Sequence, residues 1–321
     1  MIHSELRQDL VSGDWILIAP GRARYWHAHF KISPRKHESY KTCPFEEVLK
    51  NHKSILVYEN RHGWELVVVE NKNPVVSHGK VCAIDSKRGP YTRVSGVGHH
   101  DLIITRDHNN NFAHLSPSEA NQVLEVFRDR YLMLSNDKCL AYVSIFHNWG
   151  RSAGASVYHP HYQILAIPVV PPDVEHSLAG SARYFKKQKK CVHCEMIKYE
   201  KRDKKRVIFE NQGAIVVAPY FSREPFELRI FPKRHMPYFE NALDLDLGYV
   251  AEALQYSLKI LEKKLKDPDY NFFIHTAPLK NKKQYGHYHW HIEVLPKLNI
   301  SAGFELGTGI EINIIDPDEA A

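Results

Sequence analysis

Two segments of the chain carry the same succession of hydrophobic and polar positions. Residues 55–69 consist of two apolar or β-branched runs around a turn at Gly63, and residues 207–218 repeat this arrangement around Gly213. Apolar runs interrupted by a glycine-containing turn are typical of β-hairpins. The pattern therefore predicts a β-hairpin at the beginning of each segment.

A strand and a long helix follow each predicted hairpin. Residues 101–108 and 227–235 each read as a strand that ends in a histidine, and Ser116 and Ser118 are candidate caps for the first helix. Side chains at helical spacing predict the face of each helix that joins the core. These side chains are Val123, Val126, Phe127 and Tyr131 in the first helix, and Leu247, Val250, Leu254, Leu258 and Leu261 in the second.

A further strand and a pair of histidines complete each segment. The predicted strands are residues 140–147 and 270–275. The pairs that follow are His159 and His161 in the first segment and His287 and His289 in the second. The recurrence of hairpin, strand, helix, strand and histidine pair indicates an internal duplication.

The separations between corresponding histidines support this duplication. His159 follows His108 by 51 residues, and His287 follows His235 by 52. We therefore predict an α+β fold of two histidine-triad-like halves, each an antiparallel sheet with a long helix. The predicted boundaries are residues 1–172 for the half with the His-Pro-His motif and 173–321 for the half with a Cys-x-x-Cys motif. We expect a link near residues 170–190, through Pro168, Pro171 and Pro172.

The composition agrees with a globular protein of two halves. The chain has 321 residues, of which 43% are hydrophobic and 25% charged, and this length exceeds what one core usually serves. No apolar run approaches the roughly 18 residues that span a bilayer, and the N-terminus does not resemble a signal peptide. We expect a cytoplasmic protein without a membrane partner.

Cysteine usage and charge narrow the choice of partners. Five cysteines are odd in number and sparse for 321 residues, which argues against a secreted disulfide framework and predicts reduced thiols or metal ligands. The net charge of +6 favours anionic partners. Much of the excess surrounds Cys191 and Cys194, and we interpret it as a solvated surface, because no aromatic and glycine signature of RNA binding accompanies it. Nucleic acid is therefore not expected as a partner.

The motif His159-Pro160-His161-Tyr162-Gln163 offers chemistry suited to nucleotidyl transfer. On a strand, residues 159, 161 and 163 project to one face, so two imidazoles and an amide line one surface. A neutral imidazole can attack phosphorus and later leave, which divides one displacement into two. The preceding loop, residues 148–156, contains Gly150 and Gly154, which permit close backbone approach to phosphate oxygens.

These residues resemble the active-site signature of a known family. The match comprises Asn148, Gly150, Gly154, Ala155, Ser156, His159, Pro160, His161 and Gln163. Together they resemble the signature of the galactose-1-phosphate uridylyltransferase family, within the histidine-triad superfamily. Residues 5–23 resemble the family's N-terminal strand segment, and residues 71–74 resemble its nucleotide-contacting stretch.

The resemblance implies ping-pong chemistry on nucleotide sugars and sugar 1-phosphates. His161 would attack the α-phosphorus and Gln163 would hold a phosphoryl oxygen, with glutamine rather than histidine at this position favouring transfer over hydrolysis. Ser156 is counted with them as catalytic, and it also belongs to the substrate-binding set. That set is Arg22, Asn71, Asn148, Gly154, Ser156, Gln163, Phe304 and Glu305. A homodimer is expected from the resemblance alone.

The substrate pair stays open between two reactions. The resemblance implies uridylyl transfer between UDP-glucose and a hexose 1-phosphate, as in galactose metabolism. Residues 303–305 resemble the acceptor segment of the family's best-known branch, but Phe304 stands where that segment has tyrosine. The alternative is an ADP-glucose phosphorylase, which transfers an adenylyl group to inorganic phosphate.

Two clusters of candidate metal ligands follow from the duplication. Cys191, Cys194, His235 and His287 predict a tetrahedral Zn²⁺ site, and the alternative is a redox-active cysteine pair. The first half predicts a counterpart from Cys43, Glu46, His108 and His159. Because Glu46 replaces a second cysteine, this cluster is either a mixed-ligand site or a site that has lost its metal.

The two histidine pairs are expected to differ in role. The repeat sets His289 opposite His161, but residues 277–283 before the second pair offer no glycine and serine cradle. We therefore expect His161 to be the nucleophile and His289 to shape the site, bind substrate or support the metal. A different class of function is a zinc-stabilised RNA-binding protein, in which the cysteine motif contacts RNA and the histidines are structural.

Overall fold

The computed structural model describes residues 3–23, 35–78 and 82–321. Within these residues the strands are β1 Glu5–Gln8, β2 Trp15–Ile18, β3 Ser54–Asn60, β4 Gly63–Glu70, β5 Asp85–Arg88, β6 Tyr91–Val94, β7 His99–Thr105, β8 Tyr142–Trp149, β9 His161–Ile167, β10 Val207–Glu210, β11 Ala214–Val217, β12 Leu228–Pro232, β13 Tyr270–His275, β14 His291–Pro296 and β15 Ile312–Asn313. The α-helices are α1 Val48–Asn51, α2 Pro117–Ser135, α3 Pro172–Gln188, α4 Val192–Asp203, α5 Asp244–Leu265, α6 Gly303–Thr308 and α7 Pro317–Ala320.

A ten-stranded sheet forms the centre of the described fold, in the order β10-β11-β12-β14-β13-β8-β9-β7-β4-β3. Its pairings are antiparallel. The five strands β3, β4, β7, β9 and β8 come from the first half, and β10, β11, β12, β14 and β13 repeat their arrangement in the second. The predicted α+β fold is confirmed. The half-sheets are continuous through β8 and β13, while the boundary after residue 172 stays a prediction.

The two long helices cover one face of this sheet. The predicted stripes of α2 and α5 are buried in one hydrophobic core with side chains from both half-sheets. Ser116 is the N-cap of α2, where its hydroxyl accepts from the Glu119 N–H and Glu119 caps the Ser116 N–H in return. Ser118 lies inside the helix instead. The shared core holds the halves in one body.

The other face of the first half-sheet carries the candidate chemistry. A smaller cluster of Val67, Val69, Leu102 and Ile104 is buried there beneath Phe45. Strand alternation sends Tyr162 of β9 into the helix-covered core and His161 to the opposite face. The turn that contains Phe45 therefore lies over the start of β9.

The link between the halves is helical. The prolines at the end of the first half lead into α3, which begins at Pro172, since proline suits the first helical turn. The basic residues at its end, Lys186, Lys187, Lys189 and Lys190, are exposed, as the interpretation of a solvated surface requires.

In the described residues no helix has the length and apolar character needed to cross a membrane.

One pair of cysteines departs from the sequence-based expectation. Cys82 and Cys139 form a disulfide with their Cα atoms 4.9 Å apart, rather than remaining reduced thiols. The bridge closes a segment of 57 residues that includes the hairpin β5-β6 and strand β7. A pairing across such a distance leaves no local pattern in the sequence.

The chain termini meet in a separate small sheet. Strands β1 and β2 pair antiparallel, and β15 adds to β2 in parallel. Ile16 and Ile18 of this sheet pack against Phe221. The N-terminal strand segment and the C-terminus are therefore both held against the second half.

Candidate active site

His161 begins strand β9 and is 6% exposed. Its Nδ1 lies 2.9 Å from the carbonyl oxygen of His159. Because a carbonyl oxygen can only accept, Nδ1 carries the ring proton and donates it. The lone pair is therefore on Nε2, which is the nitrogen of this tautomer that can act as a nucleophile.

A second imidazole contacts the backbone of His161. His147 lies on the neighbouring strand β8 and donates from Nδ1 to the His161 carbonyl oxygen over 2.8 Å. Complete burial lowers the pKa of His147 to about 3, so this ring is neutral. On the other side, the Phe45 ring meets the His161 imidazole edge-on, with centroids 5.2 Å apart. These contacts leave His161 little rotational freedom.

Burial also lowers the pKa of His161 itself, and the hydrogen bond to the His159 carbonyl offsets only part of this effect. A lowered pKa keeps the imidazole neutral, and therefore nucleophilic, as the pH falls.

For a nucleophilic His161, as the family resemblance implies, we expect the rate of nucleotidylation to fall in acid with a midpoint below about pH 6.5, the ordinary histidine value. The fall reflects the growing protonated fraction of His161. Rapid-quench measurement of covalent adduct from pH 5 to pH 8, under saturating nucleotide sugar, checks this expectation. An acid limb with its midpoint at or above the ordinary histidine pKa would contradict the assignment of a buried, neutral nucleophile.

The glycine loop before β9 is shaped by two residues with positive φ. Gly150 has φ +86°, and a Cβ there would lie 1.8 Å from Oδ1 of Asp269. Gly154 has φ +89°, a left-handed conformation that L-residues with a side chain rarely adopt. Both positions therefore require glycine, in agreement with the predicted cradle.

Residues of the second half support this loop. The Ser152 N–H donates to Asp269 Oδ2 over 2.7 Å. The amide of Asn271 donates to Asn148 Oδ1 over 2.9 Å and to the Ala153 carbonyl over 2.8 Å. Since its oxygen is engaged, the Asn148 NH₂ group is left without a hydrogen bond to another described residue. This group lies beside Gly154, 3.6 Å from where a Cβ of that residue would be.

Gln163 and Asn71 are brought together by His100, a histidine outside the predicted motif. His100 Nε2 lies 2.9 Å from Gln163 Oε1, and the Asn71 side-chain nitrogen lies 3.3 Å from the same Nε2. All three side chains thus belong to one polar group at the edge of the catalytic face. Ser156 lies in the same loop as Gly154 and is exposed to solvent.

Three predicted substrate contacts lie elsewhere. Arg22 is exposed in the turn after β2 and has no side-chain hydrogen bond with another described residue. Phe304 is 47% exposed on α6, and Glu305 caps that helix by accepting from the Ala302 N–H. The segment continues to Glu311, which lines a cleft between the N-terminal segment and the second half. Within one chain, the structure does not group these residues with the described contacts of His161.

The second metal-ligand cluster contains His289 instead of the predicted His287. Ligand atoms of Cys191, Cys194, His235 and His289 all lie within 4.8 Å of one another. The Nδ1 atoms of His235 and His289 are 3.4 and 3.5 Å from Cys194 Sγ. The His287 ring packs beside Phe185 instead, with centroids 5.8 Å apart.

Hydrogen bonds to carbonyls orient both imidazoles of this cluster. His235 Nε2 donates to the Gly286 carbonyl and His289 Nε2 to the Pro232 carbonyl, each over 2.9 Å. Such bonds fix the tautomer in which Nδ1 is free to ligate, as is usual around bound metals. Two thiols and two Nδ1 atoms form the donor set of a structural tetrahedral site.

The first cluster has the same construction with one thiol replaced. Ligand atoms of Cys43, Glu46, His108 and His159 lie within 4.8 Å of one another. His108 Nε2 donates to the Glu38 carbonyl over 2.9 Å and His159 Nε2 to the Thr105 carbonyl over 2.7 Å. Their Nδ1 atoms face Glu46 Oε1 at 3.2 and 3.5 Å. The residues present fit a mixed-ligand metal site.

The strand pairing corrects the alignment of the two halves. His159 and His289 both precede their strands by two residues, and both donate to the carbonyl of the last residue of a neighbouring strand, Thr105 of β7 and Pro232 of β12. His161 therefore corresponds to His291, not to His289, and Gln163 corresponds to Glu293. In the adjacent strands, Asn148 corresponds to His275, so His147 and His275, which end the two predicted strands, are not equivalent. Three alternating histidines in the second half made a shift of two residues invisible to spacing.

The second-half counterpart of the catalytic face has a different charge. Glu293, where the first half has Gln163, pairs with Arg229 over 3.0 Å and also with Arg223. His275 and His291 complete a third group of possible metal ligands with Glu293. This half has a carboxylate where the first half has a neutral amide. Because a buried carboxylate would repel a phosphoryl oxygen, this face is less suited to hold a phosphoryl group.

Several residues of the site were not identified from the sequence. Asp269 and Asn271 support the glycine loop, and Arg35 joins them through an ion pair with Asp269 over 3.0 Å and a stacking contact with Trp149. Strand alternation places His100 on the catalytic face of β7. That alternation was visible in the sequence, but it becomes informative only once β7 is known to pair with β9.

Comparisons with known proteins agree with this geometry. A family model described as a domain of unknown function, DUF4921, matches residues 25–321. The chain is 33% identical over 325 residues to an ADP-glucose phosphorylase of Arabidopsis thaliana, covering 99% of this chain and 91% of the relative. It is 26% identical over 332 residues to a galactose-1-phosphate uridylyltransferase of Thermotoga maritima, covering 99% and 96% of the two chains.

The fold comparison leads to the same family. The crystal structure of an ADP-glucose phosphorylase from Arabidopsis thaliana with bound ADP-glucose matches with a TM-score of 0.84 at 30% identity, covering 99% of this chain and 97% of that chain. Sequence and fold therefore agree over nearly the whole length. The chain belongs to the galactose-1-phosphate uridylyltransferase family of nucleotidyltransferases, within the histidine-triad superfamily.

Proposed function

We propose that this protein transfers a nucleoside monophosphate from a nucleotide sugar to a phosphate-bearing acceptor through a covalent adduct on His161. The observation that carries the proposal is the tautomer of His161, whose Nδ1–H donates to the His159 carbonyl. Its Nε2 lone pair has no hydrogen bond with another described residue, and the ring lies on the strand face that also carries Gln163. A buried neutral imidazole oriented in this way is an efficient nucleophile.

In the first half-reaction, His161 Nε2 attacks the α-phosphorus of the nucleotide sugar. The new bond is N–P, and the bond that breaks joins the α-phosphorus to the bridging oxygen, so a sugar 1-phosphate leaves. The imidazolium that forms is stabilised by its Nδ1–H bond to the His159 carbonyl. The amides of Gln163 and Asn148 donate to the phosphoryl oxygens, where charge develops.

In the second half-reaction, an oxygen of the acceptor phosphate attacks the same phosphorus. The N–P bond breaks, the electron pair returns to Nε2, and the free enzyme is restored. Gln163 cannot accept or release a proton in the physiological range, so it holds the phosphoryl group without activating water. Transfer to a phosphate is therefore favoured over hydrolysis.

ADP-glucose and inorganic phosphate are the proposed first substrate pair. The phosphorylase of Arabidopsis thaliana is the more similar of the two named relatives, at 33% against 26% identity. Phe304 in place of tyrosine also argues against the acceptor of the best-known uridylyltransferases. UDP-glucose with a hexose 1-phosphate is the second candidate, which Asn148, Gln163 and the glycine loop support equally.

We further propose that Zn²⁺ occupies the cluster of Cys191, Cys194, His235 and His289. Two thiolates with two imidazoles form a donor set that Zn²⁺ favours in structural sites. The cluster of Cys43, Glu46, His108 and His159 would hold a metal beside the catalytic strand, where it would fix the backbone of His159 that orients His161. The homodimer and the cytoplasmic location stay predictions.

The substrate pair can be tested by a matrix of donors and acceptors. ADP-glucose, UDP-glucose and UDP-galactose are each incubated with ³²P-labelled inorganic phosphate, glucose 1-phosphate or galactose 1-phosphate, and the label that enters the nucleotide fraction is measured after ion-exchange chromatography. We expect ADP as the main product from ADP-glucose and phosphate, at a kcat/KM at least about tenfold above other pairs. This factor corresponds to about 1.4 kcal/mol of transition-state binding. If a UDP-sugar and a hexose 1-phosphate exchange as efficiently as we expect for ADP-glucose and phosphate, the second candidate is established instead. If no pair of donor and acceptor reacts, both candidates are contradicted.

A further inference from the structure

His100 lies behind Gln163 and has a defined tautomer. It is 5% exposed, and its Nδ1 lies 3.2 Å from the Val75 backbone nitrogen. A backbone N–H can only donate, so Nδ1 accepts this bond. The ring proton of the neutral imidazole is therefore on Nε2.

This tautomer determines how the Gln163 amide is oriented. His100 Nε2 is 2.9 Å from Gln163 Oε1, and Nε2–H donates to that oxygen. The NH₂ group of Gln163 must then point away from His100. Gln163 and His161 alternate on β9 and share a face, so the NH₂ group is presented on the face where the phosphoryl group is transferred.

The same imidazole contacts the segment that resembles a nucleotide-binding stretch. The Asn71 side-chain nitrogen is 3.3 Å from Nε2 and 3.5 Å from Nδ1 of His100, so it lies against the ring and not in line with one lone pair. The Asn71 N–H also donates to the His100 carbonyl over 2.9 Å. His100 thus joins residues 71–75 to Gln163.

We propose that His100 is a positioning residue that holds the Gln163 amide as a hydrogen-bond donor toward the transferring phosphoryl group. It acts through Gln163 and has no contact of its own with the reacting atoms. This role deepens the proposed function and rests on it. Without the Nε2–H donor, the amide is free to rotate and to present its oxygen, which would repel the phosphoryl oxygens.

The proposal predicts a loss of rate with little loss of binding. His100→Met removes the donor without introducing charge. We expect nucleotidylation of the enzyme to slow by about tenfold to a hundredfold, somewhat less than the cost of deleting an oxyanion-hole donor, while the Kd of the nucleotide sugar changes by less than about threefold. His100→Gln can donate to Gln163 and accept from Val75, so it should recover most of the rate.

Matched variants separate this role from a structural one. His99→Met alters the neighbouring residue, whose ring contacts His78 instead of Gln163, and should leave the rate unchanged. In a Gln163→Ala background, His100→Met should cause no further slowing, because the amide it orients is gone. Circular dichroism and melting temperature establish that each variant is folded.

The decisive experiment combines single-turnover rates for these variants with ¹⁵N NMR of the histidine rings in the full-length protein. We expect His100 to show a protonated Nε2 and an unprotonated Nδ1, with the Nε2–H resonance shifted by Gln163→Ala. Slowing by His100→Met that is the same with and without Gln163, or no slowing at all, would overturn the proposal. If the wild type forms no adduct, the proposed function fails; the tautomer and its response to Gln163→Ala then still decide whether His100 orients the amide.

Discussion

Replacing His161 by glycine is expected to abolish the covalent nucleotidyl-enzyme while leaving the fold intact. In the proposed mechanism this side chain provides the Nε2 nucleophile, and none of the other described imidazoles occupies the same position on β9. We expect kcat to fall by more than about 10⁴-fold, in line with the loss of other catalytic nucleophiles. A nucleoside 5′-phosphoimidazolide should restore part of the transfer, because it brings the missing imidazole already joined to phosphorus.

The matched control is His291→Gly, because His291 occupies the corresponding position in the second half. It lies beside Glu293, whose charge is balanced by Arg229 and Arg223. This variant should still form the adduct. Retained adduct in His161→Gly, or its loss in His291→Gly with the fold intact, would contradict the assignment of the nucleophile.

Replacing Cys194 by serine is expected to lower metal content and stability together. Cys194 contacts the Nδ1 atoms of both His235 and His289, so its thiolate is central to the cluster. A metal that binds only the folded chain stabilises it through linkage. We expect the loss of one bound metal per chain, measured by plasma mass spectrometry. We also expect the melting temperature to fall by about 10 °C, because losing the metal costs several kcal/mol and each kcal/mol lowers Tm by a few degrees.

His287→Ala is the control for this prediction. His287 was expected from the sequence to be a ligand, but its ring lies beside Phe185. The metal content of the His287→Ala variant should equal that of the wild type. An unchanged metal count in Cys194→Ser with full stability would show that the cysteine pair is not a metal site.

The elements of the fold could be predicted from the sequence because their signals are local. The hairpins at Gly63 and Gly213, the strands and the apolar faces of α2 and α5 each depend on residues close together in the chain. The capping box at Ser116 is equally local. The contact that joins the two halves has no such local signal. The pairing of β8 with β13 depends on hydrogen bonds between backbones, which any sequence of suitable strands can form.

The candidate site also combines residues with a local sequence signal and contacts that have none. His161, Gln163 and the glycine loop lie within one short stretch, so alternation and family resemblance identified them. The contact between His100 and Gln163 spans 63 residues, and that between Asn148 and Asn271 spans 123. Neither has a signal until the strand order is known.

The histidine register in the second half shows why spacing alone was insufficient. His287, His289 and His291 alternate, and residues two apart on a strand share a face. Aligning the first histidine of each group satisfied the spacing, but it moved the metal ligand and the counterpart of His161 by two residues. Only the pairing of β14 with β12 and β13 decides the register.

The central claim is that His161 Nε2 becomes covalently nucleotidylated, and direct mapping of the adduct tests it. The wild-type protein is incubated with ADP-glucose or UDP-glucose labelled at the α-phosphate, quenched in base, digested and analysed by tandem mass spectrometry. A phosphoramidate is labile in acid and stable in base, so the label should be lost on acid treatment. The account predicts one labelled peptide, with the nucleotide on His161. Label on His289 or His291, or an acid-stable label on another residue, would contradict it.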